Sequence, residues 1–413
     1  MHMHFTFCIF GEMLAQRAFH HFLKQSDMTR WESYIVSARK VLEGYDGKLP
    51  LHHFLKDFFK ARPQMGSRDR RWITQLVYHY FRLGHWRKDS LPVEERLLAG
   101  TFLCEQTPNE ILALQKPEWN EKVTLPLPEK MKLLGITEAA IFPFMGYLSA
   151  ALDGKAFVNS FFSQPRLFIR VRRQQQTAVE KRLQEKDIDF ETPAPGCISL
   201  PNGTKIETIL PEKSWYVVQD ASSQQTGNLF QARAGEAWWD ACAASGGKSI
   251  LLRDKCPEVN LTVSDIRKSI LDNLQHRFAD ARIDGYKGYV IDLSNPFSSP
   301  DFKPLMFDGI IVDAPCTGAG TWARSPENLF YFSESQLRRF EMLQRNITTN
   351  VVPYLKKGGQ LVYITCSVFA SENESMVQWL EANTSLRAQE GGLIQGMGQG
   401  ADSMFAVRFV KEG

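Results

Sequence analysis

Gly309-Ile310-Ile311-Val312-Asp313-Ala314-Pro315-Cys316-Thr317-Gly318 sets a cysteine just past a short apolar run, and Gln360-Leu361-Val362-Tyr363-Ile364-Thr365-Cys366-Ser367 repeats the arrangement further along the chain. Each run reads as a strand buried on both faces, as in a parallel sheet. The stretch between them, roughly Ser333 to Leu355, has the spacing of a helix. Strand, helix and strand form a right-handed crossover, which brings both cysteines to one sheet edge, at the carboxyl ends of their strands. Open α/β sheets bind ligands at that edge. Two thiols beside one cleft point to covalent chemistry. The alternative is a pair of small buried hydrophobes, the usual fate of a single free cysteine. It accounts less well for two at equivalent strand ends, one of them in Asp-x-Pro-Cys.

Working outward, Ala237-Trp238-Trp239-Asp240-Ala241-Cys242 is a strand feeding Ala243-Ala244-Ser245-Gly246-Gly247-Lys248 and then a helix. Leu261 to Asp265 is a second strand with a helix to about Phe278, and Tyr289 to Asp292 a third. The cysteine strands are the fourth and fifth. Ser371-Glu372-Asn373-Glu374 fits a capping box for a helix reaching about Leu380, and Met404 to Val410 closes as an edge strand. Residues 227–413 therefore read as a doubly wound α/β sheet. Residues 154–226 read as a small α+β unit. Its strands are Leu167 to Val171, Ile188 to Phe190 and Cys197 to Leu200, with a helix from Thr177 to Lys186. Ser222 to Gln225 fits a further capping box, and Asp220 either belongs to that helix start or lines the pocket.

Residues 28–153 read as packed amphipathic helices, with Ile35, Val36, Leu42, then Phe54, Leu55, Phe58, Phe59, then Ile73, Leu76, Val77, Tyr80 and Phe81 at helical spacing. Pro117, Pro126 and Pro128 make Lys116 to Glu129 a loop. Arg62, Arg68, Arg70, Arg71 and Arg82 alternate with Trp72, Tyr78, His79 and Tyr80. That is either an RNA-backbone face or a solvated helix face with its aromatics in the core. Residues 1–27 read as a loosely ordered extension or an upstream-start artefact, with Met28 the more natural beginning. Their apolar opening has no Lys or Arg before it, unlike a secretory signal.

Of the 413 residues, 43% are hydrophobic and 23% charged, the balance of an ordinary soluble protein. A net charge of +3 points only weakly to nucleic acid. Nothing approaches the roughly 20 apolar residues of a membrane helix. The seven cysteines are scattered and lack a paired metal spacing, so reduced thiols in the cytoplasm are expected, with no metal.

The turn from Cys242 to Lys248 is neither a phosphate loop nor a dinucleotide fingerprint. Gly246-Gly247 lets backbone approach a ligand and offers helix N–H groups to an anion, although a plain tight turn is equally consistent. Asp265 ends the next strand, where a carboxylate can accept from ribose hydroxyls. Asp292 ends the third and can reach a base. A ligand with a carboxylate, a ribose and an adenine, and no phosphates, fits S-adenosylmethionine. Cytosine C5 is a poor nucleophile toward its sulfonium until a thiolate adds to C6. One cysteine can be that nucleophile and the other a base or resolver. Asp313 is placed to hydrogen-bond the N3/N4 edge and favour the protonated ring.

Asp240-Ala-Cys-Ala-Ala-Ser-Gly-Gly-Lys248, Asp313-Ala-Pro-Cys-Thr-Gly-Ala-Gly320 with Arg324-Ser-Pro326, and Tyr363-Ile-Thr-Cys-Ser-Val368 with Glu372-Asn-Glu374 closely resemble the RNA cytosine-C5 methyltransferases of the Sun/RsmB group. The resemblance runs from about Arg166 onward. It implies a Rossmann-like class I S-adenosylmethionine-dependent sheet, with Cys366 as nucleophile and Cys316 assisting release of the methylated base. DNA cytosine methyltransferases use the Pro-Cys thiol instead, so the Thr-Cys-Ser motif argues for RNA. It further implies cofactor contacts from Cys242, Ala243, Ala244, Ser245, Gly246, Gly247, Lys248, Asp265, Asp292 and Asp313, with Lys248 near the active centre. Less specifically, Ser67-Arg-Asp-Arg-Arg-Trp72 and Leu76-Val77-Tyr78 resemble a NusB-like RNA-binding domain, and the α+β unit an RRM-like subdomain. Arg68, Arg70, Arg71, Arg170 and Arg324 are the RNA contacts so implied. Ser245 stands where the family has proline, and Arg172 where it has asparagine. The expected protein is a cytoplasmic monomer that forms 5-methylcytosine in ribosomal RNA. A transfer-RNA methyltransferase and a catalytically idle assembly factor are the alternatives.

Overall fold

The two cysteine runs lie side by side: β8 (Phe307–Asp313) pairs in parallel with β9 (Leu355–Thr365), setting Asp313 opposite Ile364. The computed structural model describes residues 29–172, 174–297, 302 and 306–413. Residues 1–27, with Met28, lie outside them. The helix Glu334–Val351 joins the two strands, capped by a reciprocal Ser333/Gln336 box. Beyond β8 come β5 (Ala237–Asp240), β6 (Asn260–Asp265) and β7 (Tyr286–Val290), all parallel. On the other flank β11 (Met404–Lys411) runs antiparallel to β9 and to β10 (Leu386–Ile394). The seven-stranded order is β10-β11-β9-β8-β5-β6-β7. Chain order reverses beside β5, so the ligand crevice of such a sheet falls at the ends of β5, β6 and β8.

Alternate residues of the buried strands feed two cores. Trp238, Ile311, Val362 and Ile364 fill one face, and Trp239, Ile310, Val312, Leu361 and Tyr363 the other. The expected edge strand Met404 to Val410 is in fact interior. β10, whose Gly391-Gly392 interrupts any apolar alternation, covers it and takes the edge. The third strand also ends at Val290, two residues short of Asp292.

A smaller antiparallel sheet, β2-β3-β1-β4, precedes this one, built from β1 (Leu167–Val171), β2 (Glu191–Ala194), β3 (Cys197–Leu200) and β4 (Tyr216–Val218). The strand expected at Ile188 to Phe190 starts later, at Glu191. The helix Gln176–Glu185 covers one face through Val179 and Leu183, against Ile169, Ile198 and Leu200. Arg170 and Arg172 project from β1 and its end onto Asp254 of the helix Gly247–Lys255, at 2.6 and 2.7 Å, with both arginines less than a tenth exposed. Asp254 is thus the anionic partner of two buried guanidiniums. Removing one partner of such a pair costs about 3–5 kcal/mol, because the remaining charge stays buried. Asp254→Ala is accordingly expected to lower the free energy of urea unfolding by about that amount. A change under about 1 kcal/mol, the value of an exposed pair, would contradict the burial seen here.

Contacts divide the chain into two compact units, 1–137 and 138–413, so the break precedes the expected boundary at 153. Residues from 138 on pack within the second unit: Phe142 stacks on Phe369 and meets Trp322, and Ser149 N–H donates to Val368 O. The described part of the first unit is helical, including Arg30–Gly44, Leu51–Lys60, Ser67–Arg82 and Val93–Cys104. The last of these is buried continuously from Arg96 to Leu103, as a central helix should be. The expected loop 116–129 contains the helix Pro117–Asn120 and the start of Leu127–Leu133. Pro117 and Pro128 occupy first-turn positions, where no amide donor is needed, and Pro126 is the residue just before the second helix.

Candidate active site

Cys316 and Cys366 meet. Their Sγ atoms are 3.3 Å apart, and both cysteines are free thiols. Parallel pairing of β8 and β9 carries the two chains to the same edge, and Gly320 then lets them cross closely. Its N–H donates to Cys366 O at 2.9 Å and its carbonyl accepts from Ser403 N–H at 3.0 Å. A Cβ at position 320 would sit 1.9 Å from Ser403 O and 3.0 Å from Cys366 O, so only glycine fits. Contact with Cys366, then burial, push the Cys316 thiol well above the ordinary cysteine range. At neutral pH it is a neutral thiol beside the second sulfur.

Asp313 ends β8 next to this pair. Lys248 Nζ donates to Asp313 Oδ2 at 3.0 Å and to Ser223 Oγ at 2.9 Å. Lys248 is buried to 6% exposure, so its ammonium faces these partners rather than bulk water. The lysine lies in the first turn of the helix Gly247–Lys255. The turn before that helix is held from three sides. Ala243 N–H donates to Ser264 O, Ala244 N–H to Asp265 Oδ2 at 3.1 Å, and Arg277 to both the carbonyl and hydroxyl of Ser245. Ala244 and Gly246 take positive φ values, 45° and 85°. The alanine's left-handed backbone costs energy that the Asp265 bond helps offset. Where a proline would have stiffened position 245, an arginine anchors it.

Asp240, at the end of β5, is fully buried. Its Oδ2 accepts from Ser249 Oγ at 2.6 Å, and its Oδ1 has no partner. Burial raises its carboxyl to about 7. Between the unfolded value near 4 and about 7 the folded chain therefore holds a proton that the unfolded chain releases, and stability falls as pH rises through that window. Melting of Asp240→Asn should lack this slope, so the variant gains on the parent from pH 4 to pH 7. Parallel melting curves would remove the assignment.

The family model described as 16S rRNA methyltransferase RsmB/F matches residues 228–410. This region is similar to the RsmB/F family. The ribosomal RNA small subunit methyltransferase B of Yersinia enterocolitica is 32% identical over 198 residues, 46% of this chain and 43% of that protein. Its counterpart in Photorhabdus laumondii is 32% identical over 231 residues, 52% of this chain and 51% of that protein. The chain thus spans about half the length of the curated relatives it matches. The crystal structure of PH0851 shares the fold, with a TM-score of 0.68 at 18% identity over 91% of this chain and 97% of that one.

Within the RsmB/F region the structure gathers Cys316, Cys366, Asp313 and Lys248 at one place, with the turn 242–248 and Asp265 at the adjoining strand ends. Asp292 is set apart from them by its own bonds. It is exposed, and its carboxylate accepts from Ser294 N–H and Oγ and from Asn295 Nδ2, which hold it below the usual carboxylate range. Two of the expected RNA contacts are corrected. Arg170 is buried, donating to Asp254 and Gln219. Arg324 bridges Asp220 at 2.8 Å and Asp402 at 2.7 Å, and donates to Arg166 O. Asp220 also caps its helix by accepting from Ser222 N–H, where Ser222 was the expected cap. Arg172, where the resemblance has asparagine, is the second guanidinium on Asp254. Arg68, Arg70 and Arg71 are exposed on Ser67–Arg82, whereas Arg82, His79 and Tyr80 of the same cluster are buried. Sequence reading passed over Ser223, Arg277 and Asp254, whose partners lie far along the chain. Glu372 it placed inside the Ser371 to Glu374 capping box and in the resemblance's Glu372-Asn-Glu374, without a role of its own. Among the described residues no cluster of His, Cys, Asp and Glu is suited to a metal, and no helix is long and apolar enough to cross a membrane.

Proposed function

We propose that the protein transfers a methyl group from S-adenosylmethionine to C5 of cytosine in RNA, with small-subunit ribosomal RNA as substrate. The observation that carries this is the 3.3 Å contact between two thiols beside the Lys248–Asp313 pair. A buried structural cysteine has no need of a second thiol, a carboxylate and an ammonium at the same strand ends.

The residues present fit such a donor. A Cβ added at Gly247 would meet no atom within 4 Å, so open space lies over the start of the helix, where N–H groups favour a carboxylate. Asp265 accepts two backbone N–H groups and retains lone pairs for ribose hydroxyls. When bound, the donor supplies an electrophilic methyl carbon. Cys366 as thiolate forms the S–C6 bond, which shifts an electron pair to C5. Asp313, its side chain 31% exposed and its charge balanced by Lys248, holds the N3/N4 edge and favours the protonated ring. After methylation the C5 proton passes to water, its bonding pair restores the C5–C6 double bond and breaks the S–C6 bond, and Cys316 assists this release, which frees Cys366 as thiolate. The target cytosine must leave its stack to meet both groups, so unpaired or loop nucleotides are the natural substrates. Arg68, Arg70 and Arg71 offer exposed positive charge for the RNA backbone.

Incubation with methyl-labelled donor and separated ribosomal and transfer RNA tests this, with nucleoside analysis as the readout. Label recovered as 5-methylcytosine in small-subunit RNA is expected. Label in transfer RNA alone would reassign the substrate, and none in any RNA would leave a binding protein.

A further inference from the structure

Glu372 takes no part in the chemistry above, yet its carboxylate lies between the two cysteine loops and is fully buried. Oε1 accepts from Thr317 N–H at 2.9 Å and from Gln344 Nε2 at 3.0 Å. Oε2 accepts from Thr317 Oγ1 at 2.5 Å and from Ser367 Oγ. Thr317 follows Cys316 and Ser367 follows Cys366, so one side chain ties the residue after each thiol. The arrangement is braced further. Gln344 also donates to Pro315 O at 3.1 Å, and Asn373 Nδ2 donates to Ser367 O at 3.1 Å.

A helix cap does not account for this. The helix Glu374–Asn383 begins two residues later, and no side chain caps it. Nor does packing, since burying a carboxylate costs several kcal/mol that an apolar residue of similar size would avoid. What the carboxylate supplies is four acceptor directions from one rigid plane, enough to hold two loops at once. We propose that Glu372 is a positioning residue that sets the separation of the Cys316 and Cys366 sulfurs. The proposal rests on reading these thiols as the reacting pair. Burial raises the Glu372 carboxyl while its four donors lower it, and its charge adds to the rise of the Cys316 thiol.

The test uses Glu372→Ala and Glu372→Gln in the full chain. Glutamine keeps the tethers: its carbonyl accepts from Thr317 N–H and Gln344, and its amide donates to the two hydroxyls, which can rotate to accept. The first readout needs no RNA. Diamide takes two electrons and two protons from a pair of thiols, leaving a disulfide and a hydrazine, and the rate at which Cys316 and Cys366 pair reports their spacing. The second is steady-state methyl transfer. Glu372→Ala is expected to pair its thiols about tenfold more slowly and to lose about 100-fold in kcat, with KM for the donor unchanged, as a shift near 1 Å would produce. Glu372→Gln should stay within about twofold of the parent in both. An alanine variant that pairs and turns over at the parent rate overturns the proposal. So does a glutamine variant that melts normally but fails as alanine does, since charge rather than tethering would then be the cause. Should Glu372→Ala not fold, Thr317→Val removes one tether at constant shape. Slower pairing supports the role, and an unchanged rate refutes it. If the parent methylates no RNA, the catalytic reading falls, while the diamide rates still decide what Glu372 does.

Discussion

Cys366→Ser is expected to lower methyl transfer by ~10⁴-fold or more, the scale seen when a covalent nucleophile is lost, and to leave no protein–RNA adduct. The substitution changes one atom at the end of β9, in a half-buried side chain, so the melting temperature should hold. A serine hydroxyl carries a far higher pKa than a thiol and has no base placed to deprotonate it. Donor binding, which uses the turn 242–248, should persist. A variant that still forms an adduct would move the nucleophile to the neighbouring sulfur.

Cys316→Ala is expected to do the reverse. Addition to C6 and methylation can proceed, but release loses the group 3.3 Å from the reacting sulfur. A protein–RNA adduct that survives denaturing electrophoresis should accumulate, and steady-state turnover should fall by about 10²–10⁴-fold, the range of a lost acid–base group. The high proton affinity of Cys316 supports this division of labour only in that a thiol kept neutral is a poor first nucleophile. If the alanine variant is inactive without adduct, and Cys366→Ser accumulates it, the two roles are exchanged.

The strands ending at Asp240, Asp265, Asp313 and Thr365 could be read from the chain because each is a short apolar run buried on both faces, a local signal. The placing of the two thiols followed from crossover handedness alone. What stayed hidden was settled by distant pairing. Glu372 matched a capping box by spacing, but Thr317 and Ser367 draw it into the sheet edge. Arg170 and Arg324 carry free charge in the sequence, whereas Asp254, Asp220 and Asp402 neutralise it in the fold. Three prolines suggested a loop between Lys116 and Glu129, and the helices there accept Pro117 and Pro128 in their first turns and Pro126 just before one. β10 escaped notice because Gly391 and Gly392 break its alternation.

The interior position of β11 has a consequence for biosynthesis. β9 leads into Cys366, one of the two touching thiols, and its free flank is completed by residues 404–411. Ser403, just before them, donates to the glycine that seats the Cys366 carbonyl. While the ribosome still holds that segment, β9 is an open edge and the thiol loops lack one wall. A nascent chain in this state lacks one wall of the paired-thiol pocket, however well its earlier helices have formed.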